Sequence, residues 1–288
     1  MTKAPAQAVE GLRDLLTVER LDTDLFRAPA TAEKPGRVFG GQVIGQALSA
    51  AAATADPERQ AHSLHAYFMR AGDVQKPIIY RVLSDFDGGS FSSRRVVAVQ
   101  DGRPILNLAA SFHRAEEGFA HACAMPQVPS PAECPDFRAA LEMTGQKMPR
   151  LLLEKLAPFD IRVGKPSPQG RDGSQLPTQY LWFKLAHPLG LDASLQRVLL
   201  AYASDFALLT TSVLPHPATF FSPQLQGASL DHAMWFHATP DTDDWLLYAM
   251  DSPWAGHARG FARGSLYDSS GTLVANTAQE GLIRPLNP

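Results

Sequence analysis

The chain has 288 residues, 45% hydrophobic and 19% charged, with a net charge of −3 and a pI of about 6.3. That composition supplies a core for one large domain or two ordinary ones, and its charge balance gives no reason to expect nucleic acid or an anionic membrane surface as a partner. No apolar run approaches the roughly 20 residues of a membrane span. The N-terminal MTKAPAQAVEGLRDLLTVERLD lacks the apolar stretch of a secretory signal. The expectation is a cytoplasmic protein that engages neither nucleic acid nor membrane. Cys123 and Cys134 form no CxxC and no zinc-like set, which suits free thiols in a reducing compartment.

In chain order, a short strand is predicted near Asp24 in DLFRAPA, then a helix over Phe39 to Ala55. Gly41, Gly45 and Ser49 fall four apart on that helix, a smooth face expected to lie close on a sheet. GxGxxG and GxxxxGK[ST] are absent, so a nucleotide loop is unsupported. A meander of about four strands is expected next: HSLHAYFMR, KPIIYRVLSDF, GSFSSRRVVAVQ and ILNLAASFHR, the last two joined by the QDGRP turn. From Met125 to Pro177 the chain is rich in proline (Pro126, Pro149, Pro166 and Pro168 among others). It reads as a linker, with helical patterns in PDFRAALEMTG and MPRLLLEKLA. The pattern then starts again, with a strand in QYLWFKLAH, a helix over Ser194 to Leu214, and the strands DHAMWFH, DWLLYAMDSPW, GHARGFARGSLY and LVANTAQEGLIR.

Aligning His65 with His232 brings the two halves into step, and a fixed internal repeat sets the architecture. Residues 1–125 and 178–288 read as two copies of one unit, with 126–177 crossing between them. A long antiparallel sheet curled round one helix, used twice, is an α+β arrangement.

The second helix carries one anomaly. Val198, Tyr202, Asp205 and Leu209 fall on one helical stripe, three apolar or aromatic and the fourth a carboxylate. No other Lys, Arg, Asp or Glu stands between Arg197 and Asp231. Such an Asp either accepts hydrogen bonds as a structural group or acts as a general base of raised pKa. The repeat favours the second reading. Ser229 stands where the first copy has His62, Gln279 where it has Ser111, and Asp205 where it has Gly45 or Gln46. A duplicated scaffold that keeps its chemistry in one copy would show this pattern, as would drift of polar surface residues. The histidines are spaced as HxxH on a strand without HExxH, which does not support a metal site. Ser204-Asp205 lacks the GxSxG of a nucleophile elbow.

With RVFGGQVIGQAL, HSLHAYFMRAGDVQKPIIYRV, DGGSFSSRRVVAVQDGRPI, YASDF, DHAMWFH, WLLYAMDSP and TAQEG in that order, the chain resembles the bacterial acyl-CoA thioesterase II family, from about Leu15 to Arg284. That resemblance implies a double hotdog fold and hydrolysis of fatty acyl-CoA to a fatty acid and coenzyme A. It implies a catalytic set of Asp205, Ser229 and Gln279, no metal or organic cofactor, and a homodimer or homotetramer. Ser229 stands where the best-known members carry threonine; serine keeps the hydroxyl and loses the methyl that restrains its rotamer. Asp205 would activate a water held by Ser229 and Gln279, and backbone N–H groups at Gly40 or Gly41 could complete an oxyanion site. A mixed anhydride on Asp205 is the rival mechanism. Two other functions fit the same residues: a hotdog enoyl-CoA hydratase or dehydratase, with His232 approaching Asp205 in space, and a non-catalytic acyl-CoA-binding protein.

Overall fold

The computed structural model describes residues 4–31, 35–144, 148, 150–164, 177–217 and 220–286. The first half comprises α1 (Pro5–Leu16), β1 (Glu19–Arg20), β2 (Leu25–Ala28), α2 (Gly40–Ala52), β3 (Gln60–Phe68), β4 (Ile78–Asp87), β5 (Phe91–Gln100) and β6 (Arg103–His113). Next come α3 (Phe137–Thr144), α4 (Arg150–Leu156) and β7 (Phe159–Val163). The second half comprises β8 (Thr178–Leu185), α5 (Ala193–Ala203), α6 (Leu208–Thr211), β9 (Leu225–Ser229), β10 (Asp231–Phe236), β11 (Leu246–Gly256), β12 (Arg259–Tyr267) and β13 (Leu273–Pro285). No helix of the described residues is long and apolar enough to cross a membrane.

The strands form one 13-stranded sheet in the order β1-β2-β4-β5-β6-β3-β10-β13-β12-β11-β8-β7, with β9 added on β13. Read outward from the β3–β10 junction, each half runs in the same order, so the two copies meet edge to edge about a pseudo-two-fold axis. The junction is antiparallel, with Ala66 opposite His232, His65 opposite Ala233 and Leu64 opposite Met234. Pairing two edge strands in this way removes the exposed edge that each copy would otherwise present. The expected four-strand meander is corrected by this order. β4, β5 and β6 do follow one another, but β3 lies beside β6, not β4.

The α+β double-hotdog layout follows from burial. In β5 the inward side chains Ser92, Arg94, Val96, Ala98 and Gln100 alternate with more exposed ones, the period of a strand with one face on the core. By contrast α2 is buried from Gly41 to Leu48, and α5 from Gln196 to Ala203. A helix without a polar face has no side to give to water, so both helices sit inside the curled sheet and pack on each other. The small-residue face of α2 therefore lies on a helix, where a sheet was expected. A Cβ at Gly41 would collide with the Tyr202 carbonyl oxygen, and one at Gly45 would stand 2.8 Å from Leu16 and 3.2 Å from the Val198 carbonyl oxygen. Glycine at these two positions sets how closely the helices cross.

The alignment of His65 with His232 is out by one residue. His65 is exposed and His232 is buried, so they face opposite sides of the sheet. Because side chains alternate, a slip of one residue reverses every face. The register that preserves the faces pairs Tyr80 with Tyr248, both fully buried, and Leu64 with His232. Val96 faces Leu108 across β5–β6 as Gly264 faces Thr277 across β12–β13. This makes Ala110 the counterpart of Gln279. Ala61, opposite Phe112, is the counterpart of Ser229, opposite Gly281. The correspondences of Ser229 with His62 and of Gln279 with Ser111 do not hold. His62 falls at an irregularity between Ala61 and Ser63 and bonds Ser111 Oγ through Nε2 at 2.8 Å.

The proline-rich crossing contains the two expected helices as α3 and α4, together with a strand, β7, that pairs with β8 at the sheet edge. Its stretch 165–176, with Pro166 and Pro168, and Pro149 lie outside the described residues. Cys123 is exposed and Cys134 buried, and neither forms a disulfide.

Candidate active site

The expected helix over Ser194 to Leu214 is two helices. α5 stops at Ala203, and α6 starts after Ala207, a non-glycine residue at φ 60°. Asp205 therefore sits in the turn between them, and the stripe through Val198, Tyr202, Asp205 and Leu209 is interrupted there. Side chains satisfy the end of α5: Ser204 Oγ donates to the Ala201 carbonyl at 2.9 Å, and Tyr248 Oη donates to the Ser204 carbonyl at 2.8 Å. These bonds replace helix continuation for carbonyls that have no intrahelical partner. The left-handed turn at Ala207 is strained backbone of a kind concentrated at functional sites.

Both oxygens of the Asp205 carboxylate are held. Gln279 Nε2 donates to Oδ1 at 2.8 Å, and the Gly41 N–H donates to Oδ2 at 2.9 Å. Ser229 lines the same cavity as the carboxylate and lies close enough to it to lower its pKa. Asp205, Ser229 and Gln279 are thus brought together from three elements: the α5–α6 turn, the end of β9, and β13. Ser229 closes β9, the strand before the duplicated one; Leu230 separates it from β10. Among the described residues no cation pairs with the carboxylate. Burial raises its pKa to about 6, against the lowering effect of the Gln279 and Gly41 bonds and of the nearby Ser229 hydroxyl.

The Gly41 contact comes from the N-terminus of α2, in the other half of the chain. A helix N-terminus favours negative charge, so the first copy contributes to the site even though its own counterparts of Ser229 and Gln279 are alanines. The sequence offered Gly40 or Gly41 for an oxyanion site. The Gly41 N–H is already spent on Asp205, which leaves Gly40 for that role. Even a methyl group at Gly40 would stand 2.7 Å from Asp205 Oδ2. A cavity of about 650 Å³ opens beside the carboxylate, walled by Gly40, Ser229 and apolar side chains such as Phe39, Leu181, Leu209 and Val213, with Phe137 and Leu141 of α3 adding to it. Its size and lining suit an extended apolar ligand with one polar end.

His232 approaches Asp205 only through an intermediary. Its Nδ1 faces Gln279 Nε2 at 3.3 Å and its Nε2 faces Ser204 Oγ at 2.9 Å. Both ring nitrogens are occupied within the core, so neither is free to reach a substrate carbon as a hydratase would require. Sequence reading had no signal for the Ser204–His232–Gln279 chain, since the three residues are far apart in sequence and only Ser204 adjoins Asp205.

A family model described as acyl-CoA thioesterase matches residues 157–282, and one described as acyl-CoA thioesterase N-terminal domain matches residues 28–113. The chain is 40% identical over 280 residues to acyl-CoA thioesterase 2 of Haemophilus influenzae, covering 96% of this chain and 98% of that one. The chain belongs to the acyl-CoA thioesterase family. Acyl-coenzyme A thioesterase 8 of Homo sapiens is also 40% identical, over 281 residues, covering 94% of this thioesterase and 88% of the human protein. The crystal structure of an acyl-CoA thioesterase II from Mycobacterium marinum has a TM-score of 0.81 at 38% identity, covering 95% of this chain and 98% of that one. A hot dog fold protein from Alicyclobacillus acidocaldarius, at 22% identity and a TM-score of 0.73 with 95% and 98% coverage, shares the fold. The expected family and fold class are both borne out.

Proposed function

We propose that this thioesterase hydrolyses fatty acyl-CoA by direct attack of a water molecule, with Asp205 as general base and Ser229 and Gln279 as the groups that hold the water. The observation that carries the reading is a half-buried carboxylate, bonded by Gln279, that shares an apolar cavity with Ser229. Asp205 takes a proton from water as the oxygen attacks the thioester carbon. Charge gathers on the carbonyl oxygen, where the Gly40 N–H at the start of α2 can donate to it. Collapse breaks the C–S bond, and the departing thiolate takes the proton back, giving fatty acid and coenzyme A. No metal or cofactor enters these steps. Gln279 and Gly41 hold both carboxylate oxygens in place, which suits a proton acceptor better than an atom that must advance on carbon to form an anhydride.

The test is a thiol-release assay on a panel of acyl-CoA esters across pH. The folded-state pKa of Asp205 is raised, so the base is ionised and competent above about pH 6. The expected outcome is thiol release whose kcat/KM falls below that pH, with an apparent pKa near 6. Rate independent of pH between 5 and 8 would remove Asp205 as the base. Loss of enoyl absorbance without thiol release would establish the hydratase, and acyl-CoA binding without either would establish the sensor.

The same reading includes a cytoplasmic location and assembly as a homodimer or homotetramer, which completes further interfaces around the paired unit. Light scattering should exceed the single-chain mass of 31.2 kDa; that mass at working concentration would exclude the assembly.

A further inference from the structure

We propose that His232 is a positioning residue for hydrolysis: it locks the Gln279 amide so that the nitrogen faces Asp205 and the oxygen remains to accept a hydrogen bond from the attacking water. The inference rests on the water-attack reading and assigns a role that reading leaves open.

The lock can be followed from one end. Ser204 has a single hydroxyl proton and gives it to the Ala201 carbonyl. Towards His232 Nε2, at 2.9 Å, it can only accept, so Nε2 carries the imidazole proton. Nδ1 is then a bare lone pair. Burial lowers the pKa of the ring to about 4, so at neutral pH no second proton alters this assignment. The group opposite Nδ1, at 3.3 Å, is Gln279 Nε2, which must donate. Its other hydrogen goes to Asp205 Oδ1.

Both amide donors of Gln279 are therefore committed, and its Oε1, buried in a side chain that is 1% exposed, has no partner among the described residues. A flipped amide would set Oε1 against two acceptors, a carboxylate oxygen and a bare ring nitrogen. In a low-dielectric site such a mismatch is costly. Of the two orientations a glutamine can adopt, the imidazole selects the one that presents an acceptor to water beside the base.

The fold does not require histidine here. Its counterpart in the first copy is Leu64, paired with Ala110, just as His232 neighbours Gln279. Both members of the pair differ between the copies, and the half that lacks the carboxylate has two apolar residues.

The test compares three substitutions in the full-length protein by steady-state kinetics and thermal melting. In His232→Asn the side-chain carbonyl can occupy the Nδ1 position and still accept from Gln279. In His232→Gln the amide reaches Ser204 and loses that acceptor, and His232→Leu removes both. Expected are a fall in kcat of roughly ten- to a hundredfold in the Leu and Gln variants with KM within about threefold, and near recovery in Asn. In a Gln279→Ala background, His232→Leu should change kcat no further. Wild-type kcat in His232→Leu, losses that follow melting temperature and not the acceptor, or additive losses with Gln279→Ala would each overturn the proposal. If His232→Leu fails to fold, the Asn and Gln pair still decides. Should Gln279→Ala itself leave kcat unchanged, the water-holding reading fails with it; a loss in Gln279→Ala alone would sink only the role of His232.

Discussion

Asp205→Asn is expected to bring thiol release down by at least the 10²–10⁴-fold that a general base contributes, to the level of the uncatalysed reaction in the assay, with the protein still folded. Volume is conserved, so no cavity opens. Two effects on stability oppose each other. An amide has one acceptor for two donors, so either Gly41 N–H or Gln279 Nε2 loses its bond, at about 1–2 kcal/mol. Against that, burial disfavours the charged form of Asp205. Above pH 6 the wild-type protein keeps a costly ionised carboxylate that the amide removes. The net change should be small, and melting temperatures at pH 7.5 should agree within a few degrees. More than a tenth of wild-type turnover in Asp205→Asn would mean that the carboxylate is structural. A large drop in melting temperature with turnover retained would point the same way.

Ser229→Ala and Gln279→Ala are each expected to lower kcat by roughly ten- to a thousandfold, the range for a positioning hydrogen bond. The double variant should lose less than the product of the two, because groups that hold one water act as a unit. The fold itself suggests that these changes are tolerated: the first copy has Ala61 and Ala110 at the corresponding positions, in strands of the same register. Loss of activity should therefore come without loss of stability. His62→Ala and Ser111→Ala break the bond between those two side chains, and the first also removes the ring contacts of His62 with Phe91 and His113; both should leave turnover within a few-fold. Equal losses from His62→Ala and Ser229→Ala would show that both copies carry chemistry.

Much of the fold could be read along the chain. The strand and helix patterns recur in one order, and DLFRAPA, QYLWFKLAH and the eight other expected strands all appear near their expected places. The catalytic candidate was legible for a related reason. A lone carboxylate in a long uncharged stretch conflicts with its surroundings, and local conflict of this kind collects at functional sites. What failed was register. The two His-Ala pairs look alike as letters, yet a strand offers two faces and a single-residue slip exchanges them. Only burial and cross-strand partners distinguish Leu64 from His65 as the counterpart of His232.

Composition and pattern by themselves determined that two similar units would form, that each would wrap one helix, and that Asp205 would be out of place on an apolar helical stripe. These are properties of short segments, governed by periodicity and the cost of burying charge. Tertiary structure decided the rest. It broke the second helix at Asp205, where Tyr248 and Ser204 side chains take over the carbonyls of the last turn. It also set α2 against α5 at Gly41, so that the N-terminus of one half caps the carboxylate of the other. Finally, it placed His232 behind Gln279. Each of these depends on hydrogen bonds between residues distant in sequence, whose partners are chosen only when the sheet closes around both helices.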